Sequence, residues 1–184
     1  MGYKHDKENI LRVGYDQLRK NGYHNVGINQ ILQASGIPKG SFYNFFQSKE
    51  DFAAQVIGYY GQSNLEWLQE YFTHEGSMLQ RLKDFYQLMI EGNKADNFSS
   101  GCLINNMSIE IGSLNPRLAA VADDFFRQWV GVLSEVVRKG QEQGEIIAQH
   151  PAQELAEYLH AGFSGTLARM KVTQSTTYME TWLR

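Results

Sequence analysis

The chain has 184 residues, 42% hydrophobic and 20% charged, with a net charge of −3 and one cysteine. That length can bury a core without disulfide or metal staples, and one cysteine excludes an intramolecular disulfide. The opening residues MGYKHDKENILR lack the apolar run of a signal peptide, and no window approaches ~18 uninterrupted apolar residues. These features imply a cytoplasmic protein with no membrane partner.

The net charge speaks against nucleic acid until it is divided. Residues 1–50 carry seven Lys/Arg against four Asp/Glu, giving +3, and residues 51–184 carry ten against sixteen, giving −6. A basic front on an acidic body fits a phosphate-binding head on a separate module.

From Asp6 to Lys20 the apolar positions Ile10, Leu11, Gly14 and Leu18 mark one helical stripe, with Asp6 as N-cap and Asn21-Gly22 as stop. A second helix over about 28–35 buries Ile28, Ile31 and Leu32, and starts from Gly27 or Asn25. Ser35-Gly36-Ile37-Pro38 is a turn, with Gly36 free to take positive φ and Pro38 suited to the next helix's first turn. The third helix, about 38–46, points Phe42 and Phe46 inward and leaves Lys39, Ser41, Tyr43 and Asn44 on other faces. So short a helix must be held by packing on its neighbours. A polar and aromatic free face on such a helix suits insertion into a DNA groove.

The run from Gly22 to Glu50, with V-G-I-x-x-I-L-x-x-S-G-I-x-K-G-S-F-Y-x-F-F-x-S-K-E at its heart, resembles the N-terminal domain of TetR/AcrR-type transcriptional regulators. The resemblance implies an all-α fold of about nine helices. A three-helix DNA-binding head with a helix-turn-helix, residues 1–47, would precede a helical effector-binding and dimerisation domain, residues 48–184. It implies DNA contacts from Lys39, Gly40, Ser41, Tyr43, Asn44 and Lys49, with Tyr43, Asn44 and Lys49 on phosphates. Gly27 departs from the family's usual Thr or Ser, so backbone amides would take the hydroxyl's place there. The alternatives are a packed core aromatic for Tyr43 and a solvated helix-start lysine for Lys49.

A long helix over about 48–72 follows, interrupted in propensity by Gly58 and Gly61, then another from Leu79 to near Gly92 and a polar loop over 93–100. In SSGCLINNMSIEIG, residues 99–112, Cys102, Leu103, Met107 and Ile111 keep helical spacing. A cysteine in a first helical turn faces free amides that favour thiolate. Cys102 is therefore either a sensor thiol or a small buried hydrophobe. Gly101-Cys102-Leu103, with PKGSFY upstream, is similar to the family branch that includes the N-ethylmaleimide-responsive repressor. That branch senses electrophiles and oxidants through a cysteine at this helix start, and Lys171 is a candidate amine partner.

Asn115-Pro116 opens a helix with a broad apolar face to Gly140, and the penultimate helix spans about 152–172. Its small residues Ala161, Gly162, Gly165 and Ala168, with Trp182 in the last helix, are candidates for a homodimer interface implied by the resemblance. Trp67, Phe85, Met89, Met107, Phe125, Trp129 and Phe163 are candidates for lining an effector pocket, or they are simply core.

The five histidines are scattered without ligand spacing, and no Walker A loop, GxSxG or dinucleotide fingerprint occurs, so no metal, cofactor or enzymatic role is expected. The expected function is a DNA-binding regulator released from a palindromic operator by a small apolar or electrophilic effector, or by modification of Cys102. The competing readings are a cysteine-dependent helical enzyme, with distant His160 as base, and a helical adaptor that binds no DNA.

Overall fold

The apolar stripe of the first helix sets the start of the architecture. In this computed structural model, which describes residues 7–99 and 101–184, Ile10, Leu11, Gly14 and Leu18 are buried along α1 (Lys7–Asn21). The proposed cap Asp6, and Ser100, lie outside the described residues. Eight more helices follow: α2 (Ile28–Ser35), α3 (Lys39–Phe45), α4 (Lys49–Tyr71), α5 (Met78–Ala95), α6 (Leu103–Ile111), α7 (Pro116–Glu142), α8 (Ala152–Thr173) and α9 (Thr177–Leu183). Among the described residues there are nine helices and no strand, as the sequence leads one to expect.

The chain forms two compact units. The first holds the described part of Met1–Ser63 together with Cys102–Asp124. Its centre is aromatic: Phe42, Phe46 and Phe52 are buried with ring centroids 4.9 to 5.4 Å apart. This cluster is what holds seven-residue α3, too short to persist alone, against the start of α4. Gly36 turns the chain at φ +66, and Ile37 N–H donates to the Leu32 carbonyl at 3.1 Å. Gly36 and this bond close α2 in a Schellman arrangement that aims α3. Gly27 is the N-cap of α2, and its amide donates to Gln30 Oε1 at 2.7 Å. Pro38 is the N-cap of α3 rather than part of its first turn, since its ψ of 153° is still extended.

At the head of α4, Ser48 Oγ accepts the Asp51 amide at 3.0 Å while Asp51 Oδ2 accepts the Gln47 amide at 3.0 Å. Asp51 also receives Gln55 Nε2 at 3.0 Å and Arg117 Nη2 at 2.8 Å, so one buried carboxylate joins α4 to α7. Asn115 caps α7 through Leu118 N–H, and donates to Glu50 Oε2 at 2.8 Å. Neither Gly58 nor Gly61 interrupts α4.

The second unit holds Asn64–Gly101 and Phe125–Arg184. Its core comes from α5, the C-terminal parts of α4 and α7, and the last two helices, with Leu68, Phe85, Ile90, Leu133, Met170 and Met179 among the buried residues. Helix α5 runs three residues past its expected end at Gly92, and Asn93 Nδ2 bonds back to the Met89 carbonyl at 2.8 Å. Its N-terminus is capped by Ser77, and Gln143 and Glu145 accept the Met78 and Leu79 amides. Gly144, at φ +75, ends the turn after α7.

Candidate functional site

The free face of α3 carries the residues singled out from the sequence. Lys39, Gly40 and Asn44 are exposed and Ser41 is half-buried. Tyr43 is 47% exposed, resting edge-on against Phe42 at 5.5 Å, so it is not a core aromatic. A Cβ at Gly40 would meet nothing within 4 Å, leaving the backbone there open to close approach. Together these groups offer ammonium, hydroxyl and amide donors on one short, rigidly backed element.

Lys49, expected to contact phosphate, has an aromatic neighbour within the chain. It is half-buried at the start of α4, with Nζ 4.3 Å from the centroid of the Tyr23 ring. Burial pushes its ammonium below the ordinary lysine range, with the Glu110 carboxylate pulling the other way. The Tyr23 phenol is raised, chiefly by burial and then by Glu50 and Glu110. Lys49 is thus engaged by an aromatic face, worth about 0.5–1 kcal/mol at such a site.

Glu110, on α6, is a residue that reading the sequence missed. Its Oε2 accepts the Tyr23 amide at 2.8 Å and its Oε1 accepts the His24 amide at 2.7 Å, across 87 and 86 positions of chain. Nothing local in the sequence marks it. Asp51 was also missed, although Ser48-x-x-Asp51 has the spacing of a capping box and could have been found.

Cys102 is the N-cap residue of α6, not a member of its first turn: its ψ of 124° is extended, and its side chain makes no capping hydrogen bond. The thiol is half-buried and lies near enough to Tyr15 on α1 to bear on that phenol's ionisation. Tyr15 is raised mainly by burial, stacks on Tyr60 at 4.0 Å, and carries the Arg19 guanidinium 5.3 Å from its centroid. Cys102 belongs to the first unit, and Lys171, in the last turn of α8, to the second.

The expected effector residues divide the same way. Met107 belongs to the first unit, beside Ile57, Ile111 and Leu118. In the second, Trp67, Phe85, Trp129 and Phe125 form a continuous run with successive centroids 5.4, 6.2 and 5.6 Å apart. Phe163 joins through Tyr86, and Met89 is half-buried on the same helix as Phe85. A cleft of about 470 Å³ opens beside the run, lined by Trp67, Glu70, Tyr71, His74 and Arg81. Tyr86 is buried with its hydroxyl unpartnered, and burial drives its ionisation far above the ordinary tyrosine range. His160 is lowered by burial and packs on Phe126 at 5.1 Å.

On α8, Ala161, Gly165 and Ala168 are exposed on one side, in register with Tyr158 and Val172. Gly162 has another use. A Cβ there would run into the indole of Trp182 in the same chain, with Cδ1 at 3.2 Å and Nε1 nearer. Trp182 itself packs on Tyr86 at 4.6 Å and Phe163 at 5.4 Å. Within the chain, the close approach that Gly162 permits is taken up by α9. No helix among the described residues is long and apolar enough to cross a membrane, and none of their acidic, His or Cys side chains gather into a metal-holding group.

Comparison with known proteins matches residues 10–56 to the family described as "Bacterial regulatory proteins, tetR family" and residues 78–184 to "Tetracyclin repressor-like, C-terminal domain". The transcriptional regulator AcuR of Cereibacter sphaeroides is 33% identical over 167 residues, covering 90% of this chain and 76% of that protein. The HTH-type transcriptional repressor NemR of Escherichia coli is 27% identical over 182 residues, covering 96% and 90%. Among solved structures, regulatory protein TetR from Rhodobacter sphaeroides superposes with a TM-score of 0.89 at 30% identity, covering 95% of this chain and 93% of that one.

Proposed function

The chain belongs to the TetR family of bacterial regulatory proteins, and we propose that it represses transcription as a homodimer on a near-palindromic operator. It is a DNA-binding transcriptional regulator, all of whose named relatives above are regulators. The observation that carries the proposal is the exposed face of α3, where Lys39, Gly40, Ser41, Tyr43 and Asn44 stand clear of the Phe42–Phe46–Phe52 core. Hydroxyl and amide donors there would fix register on phosphates, and Gly40 would let a base edge or backbone come close. Lys49 would reach phosphate by leaving Tyr23, so it is the weakest of the six contacts.

Residues 1–47 serve as the DNA-binding domain and 48–184 as the effector and dimerisation domain. One head neutralises few phosphates, so two heads at a fixed half-site spacing supply the affinity. The exposed Ala161–Gly165–Ala168 side of α8 is the surface on which a second copy would pack, with Gly162 and Trp182 behind it. The protein acts in the cytoplasm.

Two triggers fit the molecule. A small apolar effector would lodge beside the Trp67–Phe85–Trp129–Phe125 run, with Met89 and Phe163 at its margin. An electrophile would instead add to Cys102 Sγ at the head of α6, near Tyr15 of α1. The similarity to NemR, whose solved structure is described as its reduced form, supports the second trigger.

The test is titration of the full-length protein with DNA from upstream of its own gene, by fluorescence anisotropy at two salt concentrations. Tyr43→Ala should weaken binding roughly tenfold, the effect of one hydrogen bond to a charged group. Unchanged affinity would remove Tyr43 from the contact surface. Cys102→Ser protein that still leaves the DNA on exposure to electrophiles would exclude the thiol trigger.

A further inference from the structure

We propose that Glu110 is the positioning residue for operator binding: its carboxylate clamps the α1–α2 turn to α6 and so sets the pose of α3. The inference rests on the DNA-binding reading above. Two consecutive amides, those of Tyr23 and His24, converge on the two oxygens of one carboxylate at 2.8 and 2.7 Å. Only a carboxylate offers two acceptors in that fork, and bonds of this length to an ionised acceptor are the strong kind. His24 is exposed and Tyr23 only half-buried, so water could satisfy both amides. A charged side chain 86 and 87 positions away is therefore placing the turn rather than merely saturating it.

The surroundings are built for the contact. Gly22 turns the chain at φ +80, and a Cβ there would lie 2.8 Å from Glu110 Oε2. Any other residue would thus strain the backbone and crowd the carboxylate at once. Lys49 lies over the Tyr23 ring within the field of Glu110, adding a cation beside the clamp. Glu110 is held in turn by α6, whose Leu103, Ile104, Met107 and Ile111 are buried in the same unit.

The consequence runs outward to the DNA. The clamped turn is followed within three residues by Gly27, the N-cap of α2, and the Schellman closure at Gly36 and Ile37 leads α2 into α3. Displacement of α6 would therefore reach the α1–α2 turn, and through it α3, by way of the Glu110 side chain.

The experiment uses full-length Glu110→Ala and Glu110→Gln proteins, with amide hydrogen exchange, a urea midpoint and anisotropy titration against the upstream DNA. In Glu110→Ala, exchange at Tyr23 and His24 should quicken at least about tenfold while α5 and α8 amides keep their rates. Affinity for the DNA should fall at least about tenfold under conditions where the variant is fully folded. Glutamine keeps one acceptor and turns a donor toward the second amide, so it should free one amide and give an intermediate affinity. Glu110→Gln also serves if the alanine protein fails to fold. The proposal is overturned if either variant binds the DNA as tightly as wild type, or if the two amides stay protected without the carboxylate. Loss of affinity only in step with the urea midpoint would make Glu110 a stabilising residue and overturn it too. Wild-type protein that binds none of the DNA would instead defeat the DNA-binding reading, and with it any positioning role, whatever the amides report.

Discussion

Replacing Gly14 by alanine sets helix propensity against packing, and the structure says which wins. In the interior of α1, alanine is worth about 1 kcal/mol over glycine, so propensity alone makes the substitution stabilising. The new methyl would meet the Phe52 ring, with Cε1 at 2.9 Å, Cε2 at 3.0 Å and Cζ nearer still. Phe52 is fully buried and cannot swing aside, because its ring sits 5.4 Å from Phe42 and 4.9 Å from Phe46. Overpacking a filled core costs about 1–3 kcal/mol, and a clash along a whole ring edge belongs at the upper end. The net expectation is a loss of about 1–2 kcal/mol. Urea unfolding followed by circular dichroism reads it as a lower midpoint at unchanged slope. Adding Phe52→Leu removes the ring edge, so the double variant should lose less than the two single losses summed, by more than about 0.5 kcal/mol. A Gly14→Ala protein more stable than wild type would refute the packing argument, since propensity would then have prevailed.

Asp51 and Tyr86 make opposite predictions about buried polar groups. Asp51→Ala frees the Gln47 amide and breaks the bonds from Gln55 and Arg117, so stability should fall by about 2–4 kcal/mol in the same urea assay. The Gln47 amide first, then Arg117 and Gln55, hold the Asp51 carboxyl below the ordinary aspartate range. Its contribution is therefore present above the unfolded value near pH ~4 and is lost as pH falls through the lower folded value. Asp51→Asn should flatten that acid limb, and an unchanged limb would count against the assignment. Tyr86→Phe deletes a buried hydroxyl with no partner, so stability should rise or hold, by up to about 1 kcal/mol. Because burial raises the Tyr86 ionisation, the unfolded chain releases its proton first above pH ~10 and wild-type stability falls there. Tyr15, Tyr23 and Tyr60 are raised as well, so the Tyr86 share is the difference between wild-type and Tyr86→Phe profiles.

What could be read from the sequence was local. Helix positions followed from apolar spacing, and the turn at Gly36 from its need for positive φ, because both signals lie within a few residues of their effect. The α5 end was misjudged at Gly92 because Asn93, a turn-favouring residue, spends its amide on the Met89 carbonyl and lets the helix continue to Ala95. Cys102 fell one position short of the first turn because Ser99-Ser100-Gly101 announces a helix start without fixing which residue caps it. The small residues of α8 show the same limit. Ala161, Gly165 and Ala168 have an open side, yet Gly162, as small and next to Ala161 in sequence, packs against Trp182.

The division between legible and illegible follows from how each contact is encoded. The DNA contacts proposed for α3 need only a face on one short helix, and neighbouring residues of the sequence, Lys39 to Asn44, carry that face around the buried Phe42. Setting that face needs a partner, and which residue fills the role depends on chain closure over 86 or 87 positions, where a carboxylate looks like any other on an amphipathic helix. Lys49 shows the same long-range dependence. As a residue type at a helix start it invites a phosphate, but the Tyr23 ring and the Glu110 charge have already engaged it. A phosphate would have to compete with both. If Glu110 is removed, that engagement weakens along with the clamp, so Lys49 should become more available to DNA just as α3 loses its pose. A fall in affinity in Glu110→Ala therefore means that the pose outweighs one added cation.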